Sequence, residues 1–266
     1  MTALLAVDKL EVVYHRTITA VQGVSLAVAR GQIVALLGTN GAGKTTTLRA
    51  ISGFLGLDDA RVTQGPIAFD DARIEGLPPH DITRRGVALV PERDKVFPNL
   101  TVAENLSAPV AHRVSAAEQR RLEAMVLQFF PRLAELRDRA AGLLSGGERQ
   151  MLALGGALMC APKLLLIDEL SLGLAPVVGE DLARRLADIR GALGPTILLV
   201  EQSAAVALAI ADHGYVMENG RIVLDGSAER LRAHPDVQEF YLGHTTGARK
   251  SYRDVKQYRR SRRWYG

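Results

Sequence analysis

Residues 38–45 have the types and spacing that phosphate binding requires. Their sequence, GTNGAGKT, fits the pattern GxxxxGK[ST] and follows the apolar stretch QIVALLG, which predicts a buried strand. Glycines let successive backbone N–H groups point at phosphate oxygens, and a helix from about Gly43 to Ser52 would add about half a positive charge at its N-terminus. A glycine-rich turn that only caps a helix is the alternative interpretation. The residues predicted to bind a nucleotide here are Gly38, Asn40, Gly41, Ala42, Gly43, Lys44, Thr45 and Thr46.

The polar side chains around this loop predict hydrolysis of the bound nucleotide. Lys44 would place a point charge on the β and γ phosphates, and the Thr45 hydroxyl would ligate Mg²⁺. Asp168 and Glu169 end a second apolar strand, LLLI, and ligands collect at the carboxyl ends of parallel strands. We therefore predict that Asp168 holds Mg²⁺ through its water shell and that Glu169 is the catalytic base. A solvated strand end is the alternative, which the phosphate loop makes less favourable.

A third motif, LSGGERQ, occupies residues 144–150 and precedes a long apolar helix. Ser145 and Glu148 fit a capping box, which is the simplest interpretation. Capping alone does not require two glycines, whereas Gly146 and Gly147 would expose the backbone amides of a helix N-terminus. The motif therefore predicts a second anion-binding site, about 100 residues after the first.

In this order, GTNGAGKTT, LSGGERQ and LLLIDE resemble the motifs of the nucleotide-binding subunit of ABC transporters, over about residues 4–243. The resemblance implies an α/β fold, with a P-loop NTPase (RecA-like) core, an antiparallel β subdomain and an all-helical insert that carries the signature LSGGERQ. It also implies a head-to-tail dimer around two ATP molecules, in which residues 145–148 of one subunit complete the ATP site of the other. By the same resemblance Tyr14 stacks on adenine, although an ordinary strand aromatic with a polar tip is the alternative.

Within the superfamily, VPERDKVFPNLTVAENL and DELSLGLAP most resemble the LivF branch, one of two paired ATPases in branched-chain amino-acid importers. Glu92 stands where the superfamily usually has a Gln that senses Mg²⁺ and the membrane subunit, and a carboxylate there still binds a hard cation. Gln202 stands where a His commonly contacts the γ phosphate, and Gln donates a hydrogen bond without becoming cationic. Ala175 replaces a dimer-interface Asp, and Leu170 replaces a Pro. We therefore predict unequal ATP sites and a LivG-like partner, with a homodimer as the alternative.

Composition excludes several classes of protein. The 266 residues are 47% hydrophobic and 23% charged, which disfavours disorder and coiled coil. A lone cysteine, Cys160, and the absence of a signal-peptide pattern predict a reducing cytosol, and no apolar run is long enough to cross a bilayer. Residues 244–266 hold eight Arg and Lys against one Asp, so the rest of the chain has 25 basic and 28 acidic residues and a net charge of −3.

The order of predicted elements favours an α/β fold. Alternating apolar residues over 4–14 and 21–28 predict an antiparallel layer, and apolar runs at 66–69, 87–90, 164–167 and 196–200 predict further strands. The Asn219-Gly220 pair predicts a hairpin. Thr101 with Glu104 and Ser115 with Glu118 fit capping boxes in a stretch without strand signals. We predict one ATPase domain, residues 1–243, with core segments 1–90 and 161–243, a helical subdomain at about 91–160, and a basic tail at 244–266.

These features together predict an ATP-hydrolysing subunit on the cytoplasmic face of a membrane importer. Its predicted partners are a second ABC ATPase, transmembrane permease subunits and, indirectly, a periplasmic solute-binding protein, with the helical insert passing motion to the permease. The transported solute is not visible in the sequence. The basic tail, which interleaves aromatic residues with Arg and Lys, suits anionic lipid headgroups or nucleic acid, and a solvated tail is the alternative. The rival function is a soluble ABC-type ATPase that acts on nucleic acid or ribosomes, but no nucleic-acid partner is expected.

Overall fold

The strands of the protein form two sheets. The structure, a computed structural model, describes residues 3–93, 95–109 and 114–240. Its strands are β1 (Ala3–Tyr14), β2 (Ile18–Ala29), β3 (Ile33–Leu37), β4 (Ala60–Gln64), β5 (Ile67–Phe69), β6 (Ala72–Arg73), β7 (Val87–Val90), β8 (Leu164–Asp168), β9 (Thr196–Glu201), β10 (His213–Glu218) and β11 (Arg221–Ser227). The predicted basic tail, residues 244–266, lies outside the described residues.

The helices fall mainly after β3 and between the strands of the second sheet. They are α1 (Lys44–Ser52), α2 (Pro79–Arg85), α3 (Val102–Ser107), α4 (Ala116–Phe129), α5 (Pro131–Glu135), α6 (Gly146–Leu158), α7 (Pro176–Leu193), α8 (Ala204–Ile210), α9 (Ala228–Ala233) and α10 (Pro235–Phe240). Short 3₁₀ helices cover Phe54–Asp58 and Ala141–Leu143. In the part of the chain that the structure describes, no helix combines the length and apolarity needed to span a membrane.

The second sheet positions the motifs. Its strand order is β11-β10-β3-β9-β8-β7, and all neighbours pair in parallel except the β10–β11 hairpin. The central strands β3, β9 and β8 are in register, with Leu37 opposite Glu201 and Asp168 opposite Val200. The phosphate loop and the acid pair therefore both lie at the edge of the sheet formed by the carboxyl ends of its parallel strands, which is where ligands collect.

Both faces of this sheet are buried, which explains why its strands are continuous apolar runs. Alternate residues of β3 enter two different cores. Ile33, Ala35 and Leu37 enter the first core, with the helices that follow β7 and β8, whereas Val34 and Leu36 enter the second core, between this sheet, the antiparallel layer and α1. The second core holds one face of β1 and β2, as their predicted alternation requires.

The antiparallel sheet has the order β2-β1-β5-β6, with β4 paired to the far end of β1. Strands β4 and β6 and helix α2 were not predicted, because β4 has only one buried and one half-buried residue among exposed ones and β6 has two residues. These elements lack an apolar period long enough to detect. Strand β1 supplies the pairing that orders β4.

The regular elements described between β7 and β8 are helices, with one isolated bridge between Thr101 and Ala140. The capping box predicted at Thr101 and Glu104 is confirmed in both directions. The box predicted at Ser115 is half formed: the Ser115 hydroxyl accepts from the Glu118 N–H, but the Glu118 carboxylate binds Arg121 at 2.7 and 2.9 Å. A guanidinium one turn away is the stronger partner for a carboxylate.

Candidate active site

The phosphate loop joins β3 to α1 in a close backbone turn. Gly43 is the N-cap of α1 with φ of +103°, and among the described residues no side chain caps this helix. An added Cβ on Gly43 would lie 2.8 Å from the Ala20 carbonyl oxygen, and one on Gly38 would lie 2.5 Å from that of Met217. The loop therefore requires glycine at both positions, and it leaves the helix N-terminus open to an anion.

The Lys44 ammonium lies buried inside this loop. Its Nζ donates to the carbonyl oxygens of Gly38 at 2.8 Å and Thr39 at 3.2 Å, and it lies 3.2 Å from Glu169 Oε1. The side chains of Lys44 and Glu169 are only 5% and 7% exposed. The predicted phosphate-binding lysine and the predicted base thus form a buried ion pair.

The acid pair is held at the end of β8. The Thr45 hydroxyl donates to Asp168 Oδ1 at 3.2 Å. Glu169 has φ of +54°, an unfavourable conformation for a side chain with a Cβ, and its N–H donates to the Val200 carbonyl at 3.0 Å. Burial raises the pKa of Asp168 to about 6, and the nearby charges of Glu169 and Glu92 add to this effect.

Three residues predicted to hold a metal line one cavity of about 360 Å³, namely Thr45, Glu92 and Asp168. Their hydroxyl and carboxylate oxygens are the donors that Mg²⁺ prefers. Glu92 also pairs with Arg93 at 3.2 Å. Across the described ranges, no group of three or more His, Cys, Asp or Glu side chains could hold a metal alone. The donor set therefore fits an ion that takes its remaining ligands from phosphates and water.

Tyr14 lies next to the phosphate loop. It ends β1, is half-buried against the second core, and its hydroxyl is 3.2 Å from Thr46 Oγ1. A strand aromatic with a polar tip explains these contacts. Stacking on adenine stays a prediction.

Gln202 reaches the site through its backbone. Its N–H donates to Glu169 Oε2 at 3.1 Å, while its side chain is exposed. A contact from the Gln202 amide to a phosphate stays a prediction. Leu170, which follows Glu169, is fully buried in the first core.

The signature begins α6. Ser145 is the N-cap, its capping box with Glu148 is complete, and Arg132 pairs with Glu148 at 3.0 Å. An added Cβ on Gly146 would lie 3.2 Å from Leu174, and one on Gly147 would lie 3.1 Å from a Val178 methyl. The glycines therefore also allow close packing against the segment that follows the acid pair.

The cavity beside the signature, about 500 Å³, shares no residue with the cavity beside Thr45. Both Gly146 and the half-exposed Leu172 line it. The two predicted anion sites therefore line different cavities of one chain, and the signature residues do not line the cavity beside Thr45.

Sequence reasoning missed two polar residues near the site, the buried Glu201 and the half-buried Lys95. Glu201 accepts hydrogen bonds from both the N–H and the hydroxyl of Ser171. Lys95 donates to the side chain of Gln150 in the signature helix, and burial lowers the pKa of Lys95. The available signal was an acid at the end of an apolar strand for Glu201, but Lys95 stands in a polar loop without periodicity.

Comparison with known proteins decides the family. The ABC transporter family profile matches residues 21–171. The chain belongs to the ABC transporter family. The chain of this ABC ATPase is 42% identical over 240 residues to the high-affinity branched-chain amino acid transport ATP-binding protein BraG of Pseudomonas aeruginosa, covering 90% of this chain and all of BraG.

Two further relatives support the assignment. The ABC ATPase is 38% identical to the probable branched-chain amino acid transport ATP-binding protein LivF of Archaeoglobus fulgidus, covering 81% of this chain and 89% of LivF. Its fold matches the ADP conformation of MJ1267, an ATP-binding cassette of an ABC transporter, with a TM-score of 0.76 and 29% identity over 92% of this chain and all of MJ1267. The predicted fold class and ATPase activity are confirmed.

Proposed function

We propose that this ABC ATPase powers a membrane importer of branched-chain amino acids or similar small solutes, from the cytoplasmic face of the membrane. Two relatives are named for branched-chain amino acid transport, and each is covered over most of its length. The observation that carries the proposal is the convergence of Lys44, Thr45, Asp168 and Glu169 at one sheet edge. The similarity favours transport over the rival action on nucleic acid.

In the proposed mechanism, Lys44 exchanges partners. Its ammonium pairs with Glu169 at 3.2 Å, and a triphosphate in the loop would compete for the same charge. Movement of Lys44 to the phosphates would free Glu169 Oε1 to accept a proton from the attacking water. Mg²⁺ held by Thr45, Asp168 and Glu92 would offset phosphate charge. Glu169 Oε2 would stay fixed by the Gln202 N–H.

A second ATPase subunit would complete each ATP site. The signature of one subunit would cover the phosphate loop of the other, and exposed apolar residues surround the signature: Leu143 is 66% exposed, Leu172 50% and Val177 67%. Such residues around a polar cavity are typical of a protein interface. Gln202 and Ala175 favour a LivG-like partner over a second copy of this chain.

The permease would dock in a separate apolar cleft. A cavity of about 430 Å³ lies between the Phe54–Asp58 turn, β7, α3 and α6, and its lining includes the exposed residues Leu57 and Phe97. We assign this cleft to an apolar helical segment of the permease, because its exposed lining residues are apolar. The cleft also lies between the α1 side of the core and α6, the helix that begins in the signature. The proposed helical subdomain, about residues 91–160, would pass motion across it. The tail at 244–266 would contact anionic lipid.

The hydrolysis proposal is tested with two variants. Lys44→Ala removes the positive charge that would pair with the phosphates, so ATP affinity and phosphate release should both fall strongly. Glu169→Gln removes the base but keeps an oxygen for the Gln202 N–H, so ATP affinity should persist while turnover is lost. Binding of a fluorescent ATP analogue and phosphate release measure these effects. Unchanged affinity and turnover in Lys44→Ala would refute the site, and leucine uptake by cells that carry Glu169→Gln would refute the transport role.

The docking proposal is tested by cysteine labelling. In a Cys160→Ser background, Phe97→Cys and Ile18→Cys place thiols at positions that are each 59% exposed. Assembly with the permease subunits should slow maleimide labelling at position 97 but not at position 18. Equal labelling of both before and after assembly would contradict the assignment.

A further inference from the structure

Glu201 is a buried carboxylate that the proposed hydrolysis does not use. It is the last residue of β9 and is 1% exposed. Its Oε1 accepts from the Ser171 N–H at 2.7 Å, and its Oε2 accepts from the Ser171 hydroxyl at 3.1 Å and the Ser203 N–H at 3.4 Å. Burial raises the pKa of this carboxyl, which means that keeping it ionised at this position costs free energy.

The contacts of Glu201 mirror those of Glu169. Glu169, at the end of β8, accepts from the N–H of Gln202 after β9, at 3.1 Å. Glu201, at the end of β9, accepts from the N–H of Ser171 after β8, at 2.7 Å. Each strand thus supplies a carboxylate to the loop of its neighbour. The two loops are joined by a pair of crossed hydrogen bonds.

Ser171 is also in close contact with α7. Gly179 in α7 faces it, and an added Cβ on Gly179 would lie 2.9 Å from Ser171 Cβ. Contacts this short do not occur between real Cβ atoms, so any larger residue at 179 must displace Ser171 or the helix. The position of Ser171 is therefore fixed by its hydrogen bonds to Glu201, and it is compatible only with glycine at position 179.

We infer that Glu201 is a positioning residue for ATP hydrolysis, which anchors Ser171 and so fixes the loop at 170–175 relative to Glu169 and Gln202. The inference rests on the proposed role of Glu169 as base. Glu169 has a left-handed backbone conformation, which persists only when the surrounding structure enforces it. The anchor two residues later supplies that constraint. The hydrogen bonds of the Glu201 side chain go to Ser171 and Ser203 and not to Lys44 or the phosphate loop, so we expect Glu201 to act on turnover and not on ATP binding.

Two independent perturbations test this role. Glu201→Gln replaces one acceptor oxygen with a donor, and Gly179→Ala pushes Ser171 from α7. Each should lower kcat for phosphate release by about tenfold, the effect of about 1.4 kcal/mol, while KM for ATP stays within about twofold. Hydrogen exchange at the Ser171 amide should accelerate in Glu201→Gln without nucleotide. Gly191→Ala is the matched control in α7, since nothing lies within 4 Å of its added Cβ, and its kcat should equal that of the wild type.

The results distinguish a failure of the positioning role of Glu201 from a failure of the proposed base, Glu169. Wild-type kcat in both Glu201→Gln and Gly179→Ala, or equal losses in kcat and ATP affinity, would overturn the positioning role. If Glu201→Gln does not fold, Gly179→Ala alone decides, because alanine favours the helix at that position. Retained turnover in Glu169→Gln would refute the base itself. Faster exchange at Ser171 would then still report the anchor.

Discussion

Asp168 should make the protein less stable as the pH rises, in the absence of Mg²⁺ and nucleotide. Its pKa is about 6 in the folded protein, against an ordinary value of 3.8 for an aspartate, chiefly because the carboxyl is buried. Between these values the folded state binds more protons than the unfolded state, so the free energy of unfolding falls with rising pH. The cost is about 1 kcal/mol at pH 4.5 and about 3 kcal/mol above pH 7.

The variant Asp168→Asn isolates this effect. Asparagine cannot ionise, and its oxygen still accepts from the Thr45 hydroxyl. Urea unfolding in EDTA from pH 4.5 to 7.5 should show Asp168→Asn more stable than the wild type at pH 7, by an amount that shrinks by about 2 kcal/mol toward pH 4.5. Mg²⁺ with ATP should stabilise the wild type selectively and reduce the difference at pH 7. A stability difference that is constant with pH, or that grows toward acid, would refute the electrostatic reasoning.

Four further substitutions probe packing and capping. Thr101→Ala removes one half of a complete capping box and should lower the free energy of unfolding by about 1 kcal/mol, whereas Ser115→Ala, in a half-formed box, should cost less in the same urea titration. Phe130→Ala empties a fully buried site and should cost about 3–5 kcal/mol by the same measurement. Gly147→Val should collide with Val178, so phosphate release should be lost while binding of a fluorescent ATP analogue persists.

The sequence was sufficient where one local pattern fixes one structure. The phosphate loop and its helix were predicted because glycine spacing and a strand–loop–helix context are local properties, and the helix begins one residue later than predicted, at Lys44. The same holds for the Asn219-Gly220 hairpin and for the capping box at Thr101. Strand β4 was missed because only pairing with β1 orders it. Elements that depend on a distant partner lack a local signal.

The candidate site shows the same division. The types of residue and their approximate roles follow from motifs, but the partners of each side chain do not. The pairing of Lys44 with Glu169 joins residues from the ends of two different strands, and so does that of Ser171 with Glu201. At Ser115, the sequence could not show that Arg121 would take the carboxylate needed for the capping box.

The strand order explains why β9 is central to the site although its motif is the weakest in the sequence. Strand β9 lies between β3, which leads to the phosphate loop, and β8, which leads to the acid pair. Its carboxyl end therefore lies between the ends of β3 and β8, and residues there can contact the loop that follows β8. Glu201 and the Gln202 N–H both occupy that place. Strand β9 follows both β3 and β8 along the chain but lies between them in the sheet, so the order of the sequence does not show its place in the site.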